Sequence, residues 1–86
     1  MITREIIVHY HGAKISRIST MLFQKAYEFT SRIWIQKEEA RVNARSLLSV
    51  LALDIKNGTK ISIIAEGEDE QAAVNSLVYL AEYCFA

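Results

Sequence analysis

The sequence predicts an α+β fold, a βαββαβα open-faced sandwich with a four-stranded antiparallel sheet and three helices on one face. Three observations carry this expectation. Four short segments alternate apolar and polar residues or are rich in β-branched ones, as strands are. Three others repeat apolar residues at helical spacing or begin at helix-start residues. Polar and glycine-containing breaks separate them, and 86 residues leave room for one core, so residues 1–86 form one domain.

Residues 2–9 (ITREIIVH) alternate, with Ile2, Arg4, Ile6 and Val8 on one face, until Gly12 breaks the pattern. Over residues 16–29 the apolar residues Ile18, Met21, Leu22, Ala26 and Phe29 recur at helical spacing. Residues 31–37 (SRIWIQK) read as a second strand, with Trp34 opposite Ile33 and Ile35 and therefore on the bare side of the sheet. Glu38 and Glu39 form a turn, and ARVN returns as a third strand. A short helix follows over 46–53, where Ser46 is a good N-cap. Asn57-Gly58 is the strongest turn signal, and residues 59–65 (TKISIIA) form the fourth strand. The acidic EDE at 68–70 marks the start of a last helix. Its buried face is Ala73, Val74, Leu77, Leu80, Ala81 and Cys84; Tyr79, Tyr83 and Phe85 read as packing residues.

Ten basic and ten acidic side chains cancel, so there is no broad positive field for nucleic acid. No apolar run approaches the roughly 20 residues of a membrane span, and the first residues lack the pattern of a signal peptide. One cysteine suits a reducing compartment; the expected location is cytoplasmic. Two histidines without metal-ligand spacing predict no metal site, and no cofactor is expected. Nor is an enzyme: there is no paired nucleophile and base, and no glycine-rich phosphate loop.

Residues 11–20 (HGAKISRIST) place two cations, Lys14 and Arg17, and three hydroxyls where a helix begins, with no carboxylate among them. Free N–H groups and the positive end of a helix dipole suit an anion there, with Ser16 and Arg17 as its candidate contacts. The residue between Lys14 and Ser16 is Ile15, which offers no nucleophile.

Over its whole length the chain resembles HPr, the small phosphocarrier family of the bacterial sugar phosphotransferase system. The resemblance lies in RVNARSLLSVLAL (41–53), NGTKISIIAEGEDEQAA (57–73) and the SR of KISRIST (16–17). In the family's GLHARP motif a histidine takes phosphate from Enzyme I, and an arginine two residues later helps hold it. The resemblance puts that histidine at Ile15, the arginine at Arg17 and the proline at Ile18. An isoleucine cannot carry a phosphoryl group. This is similar to the Crh-like branch, which lacks the histidine yet keeps a regulatory serine.

That serine corresponds to Ser46, so the resemblance implies phosphorylation there by an ATP-dependent HPr kinase. A phosphate at a helix start gains from the dipole, and Arg45 adds a neighbouring charge. Ser46 serving only as an N-cap is the plainer alternative. Leu47, Leu48, Val50, Leu51 and Leu53 put apolar groups on more than one face of a short helix. In the family this helix docks Enzyme I, permease domains and a transcriptional regulator, the catabolite control protein. Leu47, Leu48 and Leu51, with Ile15, would form that surface; fuller burial or self-association is the alternative. The expected function is thus a non-enzymatic, HPr-like regulator that binds proteins, without direct contact with nucleic acid or membrane. Two alternatives stay open: a phosphocarrier using a displaced histidine, His11, and an unmodified homo-oligomeric module, such as a homodimer, or decoy.

Overall fold

The structure, a computed structural model, describes residues 1–9 and 16–83, apart from the Ser16 side chain. In chain order these form β1 (Ile2–Ile7), α1 (Ser16–Ala26), β2 (Arg32–Lys37), β3 (Ala40–Asn43), α2 (Leu47–Ala52), β4 (Lys60–Glu66) and α3 (Glu70–Tyr83). The strands make one antiparallel sheet in the order β1-β4-β2-β3, so the last strand in sequence lies between the first two. This is the expected βαββαβα sandwich.

Strand alternation decides which side chains meet the helices. Ile6 lies opposite Ile61, Ile33 opposite Ala65 and Ile35 opposite Ile63, and all six are buried. Such cross-strand pairs fix the register, because a slip of one residue would turn every isoleucine to the other face. The ladder of β1 ends at Ile7, but Val8 still donates to the carbonyl of Thr59 (2.9 Å) and accepts from Gly58 (2.8 Å). Onto this apolar floor α1 places Ile18, Leu22 and Ala26, spaced by four residues along one stripe. Ala73, Val74, Leu77, Val78 and Ala81 of α3 complete the core, with Val50, Leu53 and Ile55 from and just after α2.

Two expectations about aromatic residues change. Trp34 is on the bare face as predicted but is half-buried, because it lies opposite Ile64, which is itself only 2% exposed. Tyr79 and Tyr83 are not packing residues: both are exposed, and their rings lie beside each other with 5.2 Å between centroids. Cys84 and Phe85 lie outside the described residues.

The helix at 16–29 is shorter than its periodicity suggests. α1 ends at Ala26, and the next residues close in tight turns, with Tyr27, Glu28 and Phe29 each donating to the carbonyl three residues back. Asp69 ties down the chain beyond. Its carboxylate accepts the backbone N–H groups of Thr30 and Ser31, both at 2.9 Å, and the Ser31 hydroxyl. The Ser31 hydroxyl contributes most to holding the Asp69 pKa down at about 2. Gly67 packs against this clamp: a Cβ there would stand 2.8 Å from the Ser31 Cα, and its φ of +152° is one that L side chains rarely adopt. The Gly67 N–H donates to Glu70 (3.1 Å), as in the return arm of a capping box, and is the leading cause lowering the Glu70 pKa.

Candidate functional site

α2 has six residues, too few to be stable alone, so its position comes from packing. Val50 and Leu53 turn inward and are buried, and α1 packs alongside. The remaining leucines divide by geometry. Leu48 is 81% exposed, whereas Leu47 and Leu51 are half-buried at the flanks. Of the three leucines expected to form an apolar surface, Leu48 is the one that α2 leaves in water.

Ser46 occupies the N-cap position with extended backbone angles (φ −107°, ψ 100°), and its carbonyl accepts the Val50 N–H at 3.0 Å. Its hydroxyl does not cap the helix. It donates instead to the Ser49 hydroxyl at 2.9 Å, one turn along. The expectation of a side-chain cap is thus corrected: a nearby side-chain oxygen takes the hydrogen bond.

Arg45 is also differently employed than its neighbourhood suggests. Its Nε donates to the Ala26 carbonyl at 3.2 Å and an Nη to the Phe29 carbonyl. Its guanidinium carbon lies 5.8 Å from the centre of the Tyr27 ring, and the Tyr27 hydroxyl donates to the Arg45 carbonyl at 3.4 Å. The cation thus neutralises the negative end of α1. The other end of the α2 segment is tied similarly: Lys37 donates to the carbonyls of Leu53 (2.9 Å) and Asp54 (3.3 Å). Both contacts join residues 16 or more apart, so no local pattern reveals them.

At the candidate anion site, α1 begins at Ser16, its first turn holds no acidic residue, and Arg17 is exposed there. Ile15, Lys14, His11 and the Ser16 side chain lie outside the described residues. His9 is exposed, and its N–H donates to the Ala81 carbonyl at 2.8 Å. Among the described residues there is no cluster that could hold a metal ion and no helix long and apolar enough to cross a membrane.

Comparison with known proteins places this arrangement. The PTS-HPr family, described as "PTS HPr component phosphorylation site", matches residues 2–82. The HPr-like protein Crh of Halalkalibacterium halodurans is 34% identical over 82 residues, covering 95% of this chain and 98% of that protein. A crystal structure of HPr-C-His from Thermoanaerobacter tengcongensis superposes with a TM-score of 0.86 at 31% identity, over 94% of this chain and 91% of that one. Crh of Bacillus subtilis, seen as a domain-swapped dimer, superposes with a TM-score of 0.71 at 31% identity, over 94% and 93% of the two chains.

Proposed function

The chain belongs to the HPr family of the bacterial phosphotransferase system and is of the Crh-like type, and on that premise we propose that it is a regulator rather than a phosphocarrier or an enzyme. Ile15 stands where the family's phosphoacceptor histidine would be, and an aliphatic side chain has no lone pair to attack phosphorus. The chain would act in the cytoplasm by binding proteins through Leu48 and its neighbours Leu47, Leu51 and Ile15. The observation that carries this reading is Leu48, 81% exposed on a helix whose start is Ser46. An apolar side chain left in water one turn from a phosphorylatable hydroxyl suits a docking surface whose charge can be changed.

In this reading HPr kinase transfers the γ-phosphoryl group of ATP to Ser46. The Ser46 oxygen forms the new P–O bond, the bond to the ADP leaving oxygen breaks, and the hydroxyl proton is released to solvent. The product carries about two negative charges beside Leu48. Ser49 is placed to donate to the phosphate, since its hydroxyl already lies 2.9 Å from Ser46 Oγ. A transcriptional regulator of the catabolite-control type would read that state. Ser16 and Arg17, at the start of α1, would supply further anion contacts.

Intact mass after incubation with HPr kinase and ATP tests the serine. The expected result is one phosphoryl group on the wild-type chain and none on Ser46→Ala; an unmodified wild-type chain, or a modified Ser46→Ala, contradicts it. Self-association is the second reading, favoured by the dimeric Crh structure and exposed Leu48. Sedimentation across a concentration range decides it: a dimer supports a homodimeric module, and a monomer at high concentration removes it.

A further inference from the structure

Arg45 directly precedes Ser46, yet its guanidinium is committed to the end of α1. Every group it touches there is neutral: the carbonyls of Ala26 and Phe29 and the ring of Tyr27. No ion pair to Arg45 occurs among the described residues. The nearby carboxylates are already engaged, Glu28 by Lys25 at 3.0 Å and Asp69 by Thr30 and Ser31. The Ser46 hydroxyl, bonded to Ser49, makes no claim on the cation. Hydrogen bonds from a guanidinium to an anion are roughly twice as strong as those to neutral acceptors. A negative group on the adjacent residue is therefore a better partner than two carbonyls.

Resting on the reading of Ser46 as a phosphorylation site, we propose that Arg45 couples the charge at Ser46 to the end of α1. A negative group on Ser46 draws the guanidinium off the Ala26 and Phe29 carbonyls. The turns at Tyr27, Glu28 and Phe29 then lose the cation that closes them, and Tyr27 loses its stacked partner. Tyr27 is 60% exposed and packs edge-on against Phe23 of α1, so its release changes the surface of the helix that lies beside α2. Modification would thus alter the shape of the docking face as well as its charge.

Amide hydrogen exchange at Tyr27, Glu28 and Phe29, with Ile63 of β4 reporting global unfolding, tests this in four proteins: wild type, Ser46→Asp, Arg45→Gln and the double variant. Aspartate supplies the charge without a kinase and is itself a favourable N-cap. The expected result is exchange about threefold or more faster at the three turn amides in Ser46→Asp, with Ile63 unchanged. Arg45→Gln should be faster on its own, with no further gain in the double variant. Unchanged turn amides in Ser46→Asp, an equal gain in the Arg45→Gln background, or parallel acceleration of Ile63 would each overturn the coupling. Failure of the kinase to modify Ser46 would instead overturn the reading of the site, and the aspartate result would stand apart from it.

Discussion

Leu48 and Leu53 make a matched pair, because the same truncation to alanine removes the same atoms from opposite environments. Leu53 is 6% exposed and belongs to the core, whereas Leu48 is 81% exposed. The Leu53 carbonyl that accepts Lys37 is a backbone group and survives the substitution. Leu53→Ala should therefore cost about 2–5 kcal/mol through lost transfer energy and the cavity left behind. At about 4–8 °C per kcal/mol for a domain of this size, its melting temperature falls by roughly 8 °C or more. Leu48→Ala should stay within about 0.5 kcal/mol of wild type. Burying a leucine is worth about 1.5–3 kcal/mol, and most of that is still open to a partner at Leu48. Binding to HPr kinase should then weaken about tenfold in Leu48→Ala, near 1.4 kcal/mol. Thermal unfolding followed by circular dichroism and calorimetric titration with the kinase read the two effects separately. A Leu48→Ala protein destabilised by more than about 1 kcal/mol, or one that binds as tightly as wild type, would refute the division of α2 into a core side and a docking side.

Other outcomes follow from the clamp around Asp69. Its carboxyl pKa is lowered in the folded protein, so it adds stability that is complete above the unfolded value near 4 and is lost as pH falls toward about 2. Urea midpoints of wild type should drop across that window, and Asp69→Asn should be less stable at neutral pH with a flatter profile there. Gly67→Ala forces a Cβ against the Ser31 backbone at a disfavoured φ, so it should lower stability by more than about 1 kcal/mol in the same assay. Trp34→Ala uncovers Ile64 on the bare face and should destabilise by about 1–3 kcal/mol without affecting kinase binding, which is measured by the same titration.

The fold was legible because its strands and helices announce themselves locally. Ile33, Trp34 and Ile35 alternate, and Ile18, Leu22 and Ala26 recur every fourth residue; both patterns survive in the core. The end of α1 was not legible. Phe29 continues the apolar stripe, but the helix stops at Ala26, where Arg45 takes the carbonyls and Asp69 takes the next N–H groups. These partners lie far along the chain, and no glycine or proline marks the boundary. On α2 the sequence places the apolar surface, but which leucine faces water depends on how the helix packs beside α1. Ser46 was recognisable as a helix start, whereas its bond to Ser49 depends on the side-chain rotamers of both serines.

With isoleucine at position 15, this HPr-family chain is expected not to serve as a carrier through the usual position. Incubation with Enzyme I and phosphoenolpyruvate, read by intact mass under conditions that preserve phosphohistidine, tests it most directly. The expected result is an unchanged mass in a reaction where an ordinary HPr is fully labelled. One phosphoryl group gained by this chain would contradict it, and loss of that label in His11→Ala would identify the histidine that had taken over.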